Sequence, residues 1–425
     1  MNKSGLPEGS PATKWWLLVF ASVAIFGNYY VYDAIAPLAD QLSRELGFTD
    51  TQIGSLNSIY SLPNIFLVLV GGLLVDRFGA GRVAFSTSVL CFAGAVISAS
   101  TGDFVTMAAG RLLYGIGSET FLVALTVAIG LRFTRHAVGL AMALNLSIGR
   151  LGSYAADLSP LWAGGLYDQG WQPPMILAAT LAGLSVLGAA ACWWLDRKRP
   201  VHKPADADPT YETERFHWRD VAKFDRSFWY ITALNVLFYS VIFPFRSTFA
   251  IKYFQHAHDK TLEQASLINS YVFLAAIFLT PLFGYLADRF GRRGLQMVFG
   301  SLLLPLSFIG LLSEHWGAWL TTGMLGVSFS LVPAVLWPSV VKLVSKEQLG
   351  TGYGLMFMTQ AIGMSLANII AGVLNDAFGA SAENPAGYGP MLIFFAVVAS
   401  SAVVFAIALW RRESGPHGHG LEDPR

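Results

Sequence analysis

Glu119, Arg150 and Asp157 stand deep inside stretches that are otherwise apolar. Glu119 lies mid-way along FVTMAAGRLLYGIGSETFLVALTVAIGLRF, about fifteen residues from either end. Arg150 is similarly central in AVGLAMALNLSIGRLGSYAADLSPLWAGG, and Asp157 follows seven positions later, two helical turns along the same face. A charge at bilayer depth costs roughly 2.5–3.5 kcal/mol on insertion scales, so each needs a partner or a water-filled cavity. Glu119 and Arg150 sit at comparable depth, about 20 Å along their spans at 1.5 Å per residue. A zwitterion would use both, its ammonium on Glu119 and its carboxylate forked by Arg150. The alternative is a salt bridge that only joins two helices. A buried ion pair stabilises poorly compared with apolar packing. Gly115, Gly117, Gly149 and Gly152 already let these two helices approach closely, which favours the ligand reading.

Other polar residues at membrane depth form a second rank of candidate solute contacts. Tyr29, Tyr30 and Asp33 occupy i, i+1 and i+4 of the first span, and Asp33 is expected to face a cavity. It is a candidate proton site, ligand contact or partner for Arg246 in the seventh span. Asp157 is expected to bridge back towards Arg150 or to carry a coupling proton. Arg111 lies nearer its helix end, where snorkelling competes with a gating role. Pro244, Pro333 and Pro338 mark expected kinks. The histidines are placed in loops or tails, and His417-Gly-His419 reads as a solvated tail with no metal site expected. Cys91 and Cys192 read as packing residues.

The chain of 425 residues is 54% hydrophobic and only 13% charged, far below the charge of an ordinary soluble domain. Its net charge of +1 gives no sign of a nucleic-acid partner. Apolar windows fall near 15–38, 54–76, 83–101, 104–132, 136–167, 174–195, 227–254, 263–287, 294–313, 317–344, 348–377 and 387–410. Twelve spans put both termini on one side. The loops and tails on that side carry 22 of the 28 Lys and Arg, against three on the opposite side, so both termini are expected in the cytoplasm. The expected organisation is a tail (1–14), a six-helix half (15–195), a cytoplasmic linker (196–226), a second six-helix half (227–410) and a tail (411–425). At a constant offset of 212, Gln52 matches Gln264, Asn57-Ser58 matches Asn269-Ser270, and Asp76-Arg77-Phe78-Gly79 matches Asp288-Arg289-Phe290-Gly291. Such repeats imply a solute site at their interface near the midplane.

The repeated loop resembles the G-x-x-x-D-R-x-G-R-R motif of the major facilitator superfamily. Its second copy is complete in Gly284, Asp288, Arg289, Gly291, Arg292 and Arg293; the first departs after Gly79. Arg111-x-x-x-Gly115-x-Gly117 is similar to the fourth-helix motif of that superfamily. The resemblance implies an all-α membrane protein of twelve transmembrane helices in two pseudo-symmetric halves. Asp76, Arg77, Gly79, Arg111, Asp288, Arg289, Gly291, Arg292 and Arg293 are then gating candidates, the loops acting as a latch. Asn28-Tyr29-Tyr30-Val31-Tyr32-Asp33, Gly117-Ser118-Glu119, Gly149-Arg150-Leu151-Gly152-Ser153, Phe243-Pro244-Phe245, Leu336-Trp337-Pro338 and Gln348-Leu349-Gly350-Thr351 resemble the lysosomal dipeptide-transporter branch of the superfamily. That narrower resemblance implies facilitated diffusion of dipeptides, with Glu119 and Arg150 as binding residues; Trp337 joins the solute-contact candidates.

The expectation is therefore a monomeric transporter for dipeptides or similar zwitterions, working by alternating access. It needs no cofactor, and the proton is a candidate coupling ion. A proton-coupled organic-anion or drug transporter is the first rival, and a non-transporting solute receptor the second. No nucleotide-binding glycine loop, nucleophile–base arrangement or metal-ligand cluster supports an enzyme. The fifth span lacks the G-P-x-x-G-G pattern of proton-coupled drug antiporters. The lipid bilayer is the expected surrounding, as a bacterial inner membrane, with a lysosomal membrane as the alternative.

Overall fold

The computed structural model describes residues 11–133, 135–198, 221, 224–313, 316–345, 348–416 and 418–423. Most of the expected linker lies outside them. The described residues hold helices and turns and no strands. The first half comprises α1 (Pro11–Asp33), α2 (Asp50–Ser61 and Asn64–Phe78, broken at Pro63), α3 (Ala80–Ser100), α4 (Phe104–Gly130), α5 (Arg135–Asp157) and α6 (Gln172–Lys198). The second comprises α7 (Arg226–Pro244, then Phe245–Phe249 and Ala250–Ala257), α8 (Leu262–Phe290), α9 (Arg293–Leu312), α10 (Ala318–Leu343), α11 (Leu349–Ala377) and α12 (Gly389–Glu413). Among the described residues, ten helices are long and apolar enough to cross a membrane, or eleven when the bent pair in α2 counts as one span. The twelfth is α5, whose apolar face is interrupted by Asn145, Arg150 and Asp157. It ends ten residues earlier than expected, and the remainder to Tyr167 forms two short helical turns.

The repeat is visible in local structure as well as in letters. Thr49 and Thr261, 212 positions apart, each open their helix with a capping box, paired with Gln52 and Gln264. Each box satisfies two backbone donors that a helix start leaves free. Gly79 and Gly291 both adopt positive φ (85° and 64°), which a side chain would disfavour. The breaks in α1 and α7 are also equivalent. α1 stops at Asp33 and resumes as the turn Ala36–Leu38 and the short helix Ala39–Leu46. α7 widens into a π-turn over Phe245–Phe249, directly after Pro244, which lacks an N–H to continue the ladder.

Apolar packing follows the halves. One buried cluster occupies the second half, centred on Phe238, Phe245, Phe308 and Phe395. Two others lie in the first half, around Tyr60, Met107 and Tyr114 and around Phe121 and Leu125. Glycines set the closest approaches, but not between α4 and α5 as expected. A Cβ at Gly115 would strike the Tyr60 carbonyl of α2, and one at Gly152 the Phe26 carbonyl of α1. The small residues of α4 and α5 therefore serve α2 and α1 and not each other.

Candidate functional site

Glu119 and Arg150 do not pair with each other. The Glu119 carboxylate accepts from Asn64 Nδ2 at 2.9 Å, just after the Pro63 break in α2. Arg150 reaches across to the other half, donating to the Ala276 carbonyl and to Thr280 Oγ1 of α8, both at 3.0 Å. Its guanidinium also lies 5.9 Å from the centre of the Phe329 ring. Tyr29 stands within electrostatic reach of both charges, and Tyr239 within reach of Arg150. Trp337 donates from Nε1 to the Tyr239 hydroxyl at 3.0 Å and stacks on Phe357 and Tyr353. A carboxylate on one wall, a guanidinium on another and an aromatic wall between α7, α10 and α11 surround the junction of the halves. The two opposite charges are both half-buried.

Several expected contacts are placed elsewhere. Tyr30 is only 2% exposed and packs against Trp162, one helical step away from Tyr29 and outside this group. Asp157 does not bridge back to Arg150; its Oδ2 accepts from Arg246 Nη2 at 2.6 Å. Arg246 Nη1 donates to Asp33 Oδ1, also at 2.6 Å, so the Asp33–Arg246 pairing does form. These groups tie α1 and α5 to α7, above the Glu119–Arg150 level. Arg111 does not snorkel. It is 2% exposed and donates to the Val31 and Tyr32 carbonyls, freed by the break in α1, and to Asn57 Oδ1. Tyr32, Tyr60 and Tyr114 surround its guanidinium.

The end remote from the termini is shut by further polar contacts between the halves. Asn57 donates to the Ser247 carbonyl at 3.0 Å and to Thr248 Oγ1 at 2.7 Å. Its repeat partner Asn269 donates to Asp157 and to the Arg246 carbonyl, both at 3.1 Å. The π-turn in α7 releases these carbonyls, and each asparagine takes one up. Nearer the loops, Lys252 pairs with Asp50 at 2.5 Å, and Asn375 donates to the same carboxylate at 2.8 Å. His256 bridges Asp40 (2.8 Å) and Tyr388 (2.7 Å), so this histidine closes a helix and is not a loop residue. Asn64, Tyr239 and Thr280 were not singled out by sequence, and Asn57 only as a repeat match, because a neutral polar residue at membrane depth gives little signal until its partner is known.

The loop candidates lie at the terminal end. Asp288 and Arg293 pair at 2.6 Å inside the second half. Arg77 and Arg289 lie over Phe78 and Phe290, and Arg292 adopts a left-handed backbone at φ 51°. Asp76 is exposed, and Gly284 faces open space. His419 is held by Glu413 at 2.9 Å, and the described residues contain no cluster suited to a metal ion. His417 lies outside the described residues.

Residues 21–256 and 228–424 match the sequence profile of the Major Facilitator Superfamily. The lysosomal dipeptide transporter MFSD1 of Danio rerio is 32% identical over 377 residues, covering 85% of this chain and 81% of the relative. A probable sulfoacetate transporter of Cupriavidus necator is 24% identical over 365 residues, covering 81% and 83%. Among solved structures, a bacterial homolog of the human lysosomal transporter Spinster superposes with a TM-score of 0.77 at 14% identity, covering 98% of this chain and 99% of that one. With its family profile repeated over both halves and its twelve helices arranged in pseudo-symmetric sixes, this chain is a membrane transporter of the major facilitator superfamily, not an enzyme.

Proposed function

We propose that this transporter carries dipeptides or comparable small zwitterions by facilitated diffusion, with Glu119 receiving the ammonium and Arg150 the carboxylate. The observation that carries the reading is the separation of the two charges. Each is turned to a neutral partner, Asn64 or the α8 backbone and Thr280. A pair kept only to join α4 and α5 would instead close on itself. A charged ligand group adds Coulomb attraction to the hydrogen bond, which a neutral amide, carbonyl or hydroxyl does not supply. The relative from Danio rerio, named for dipeptide transport, supports the same class of solute. Tyr29, Tyr239 and Trp337 line the intervening wall.

The orientation proposed puts both termini in the cytoplasm, on the excess of basic residues there, in a bacterial inner membrane, with the protein acting as a monomer. A lysosomal membrane, as named for the relatives, is the alternative location. A transporter of an organic anion, such as the sulfoacetate for which the relative from Cupriavidus necator is named, would use Arg150 but leave Glu119 without a ligand.

The test is binding of free, N-acetylated and C-amidated dipeptides to folded wild type, Glu119→Gln and Arg150→Lys. The free dipeptide should lose affinity in both variants, by roughly ten- to over a hundredfold for one lost charged hydrogen bond. The N-acetylated form should be insensitive to Glu119→Gln, and the amide insensitive to Arg150→Lys. An unchanged ranking of the three ligands in both variants would remove the pair from the site.

A further inference from the structure

Asp33, Asp157 and Arg246 form a lock whose parts come from opposite halves. Both carboxylates belong to the first half, on α1 and α5, and the guanidinium belongs to α7 of the second. The side chains are at most 2% exposed. Arg246 spends one terminal nitrogen on each carboxylate at 2.6 Å and lies 3.8 Å from the centre of the Phe273 ring. Asp33 Oδ2 has no hydrogen-bond partner among the described residues.

The other groups facing the carboxylates are Arg111 and Tyr114 of α4, Tyr29 and Tyr32 of α1, and Tyr167 of the turn after α5. From the second half come Asn269 and, through Arg246, Ser247. Further out lie Asp40 with Arg44 and His256, and Asp50 with Lys252. With the lock closed, Asp33 and Asp157 are balanced by Arg246 and Arg111. Opening this end removes Arg246 with the second half. Arg111 is held by the Val31 and Tyr32 carbonyls and by Asn57, so it does not move across to Asp157. The first half is then left with two neighbouring carboxylates and one cation. Like charges sharing a site favour protonation of one of them.

We propose that the Asp33–Asp157 pair is a proton-binding site of the open gate. One proton enters from the compartment remote from the termini when the halves part there. The proton forms an O–H bond on one carboxylate. On reclosure Arg246 takes its place, and the proton returns to water in the same compartment. The gate therefore opens more readily in acid, while no proton crosses the membrane. The proposal rests on the alternating opening of the two halves and not on the identity of the solute, so it stands or falls separately from the dipeptide reading.

The experiment uses the full chain in lipid nanodiscs without solute, with Cys91 and Cys192 replaced by alanine. Spin labels at Val105→Cys and Leu320→Cys, both exposed near the remote end, report the separation of α4 and α10. The long-distance population should grow as pH falls from 8 to 5. For one proton, the ratio of open to closed should change by at most about tenfold per pH unit. Asp33→Asn and Asp157→Asn should each flatten the titration, and His256→Gln should leave it in place. A flat wild-type titration would overturn the proposal. So would a slope that persists in both asparagine variants or disappears with His256→Gln. Where one asparagine variant fails to fold, the other is read beside Asp50→Asn, and a slope lost with Asp50→Asn would overturn the proposal. Return of the proton to its own side is read with a pH dye sealed in transporting vesicles. A dye response in step with solute movement would sink that part, and no response would uphold it.

Discussion

Asp376, at the remote end of α11, accepts the backbone N–H groups of Asp50 and Thr51 in the first turn of α2, each at 2.8 Å. A carboxylate of one half thus caps a helix of the other, satisfying two donors that the helix cannot use itself and meeting the positive end of its dipole. The contact exists only while this end is shut. Asp376→Ala should therefore favour the state open at the remote end. Loss of a cap of this kind costs about 0.5–2 kcal/mol, or roughly a two- to thirtyfold change in the conformational ratio. Distance measurements between labels on α4 and α10 would read it, and an unmoved distribution would assign Asp376 no part in closure.

The same seam is tight enough for a steric test. A Cβ at Gly54 would overlap the Asn368 carbonyl, and one at Gly372 the Asp50 carbonyl. Both obstacles are backbone and cannot swing aside. Gly372→Ala should block full closure and cut transport to about a fifth of the parent or less, since overpacking costs typically 1–3 kcal/mol. Solute binding measured with the remote end open should survive. Normal turnover at matched expression would show that the seam has slack.

Asp76→Asn addresses the repeated loop at the terminal end. We expect turnover to slow several-fold while solute affinity changes less than twofold, because a latch biases a conformational equilibrium and does not touch solute. Equal transport rates in mutant and parent would leave the loop as a determinant of topology alone.

Orientation is open to a direct check. A membrane-impermeant label on a cysteine placed within 196–226 should react only when the cytoplasmic face is exposed. Reaction from outside intact cells would reverse the assignment.

Depth along an apolar run was enough to mark Glu119 and Arg150 as charges that the fold leaves half-buried, and an ungapped repeat was enough to predict two matched halves. Those signals survive because membrane insertion penalises every charge without a purpose. Pairing was much less legible. Asp157 is 89 residues from Arg246 in the chain, and only the facing of the halves brings them together. Arg111 looked close enough to the surface to snorkel because sequence does not reveal that α1 breaks beside it and offers two carbonyls. The π-turn after Pro244 was readable as a kink, but not as a source of free carbonyls for Asn57 and Asn269. Small residues were legible as sites of close approach, yet the partner helix for Gly115 and Gly152 was not, because a helix has several faces and sequence marks only the small one.

The matched breaks in α1 and α7 have an evolutionary consequence. At the offset of 212 that relates the halves, Asp33 corresponds to Phe245 and Arg246 to Ala34, so neither lock residue is duplicated. A symmetric pair of identical subunits makes each cross-axis contact twice, residue i on j and j on i. The Asp33–Arg246 contact occurs once, because Ala34 and Phe245 carry no charge. Joining the copies into one polypeptide thus did more than fix their stoichiometry. It let the halves diverge into a one-sided charged closure that a symmetric dimer would have to build in duplicate.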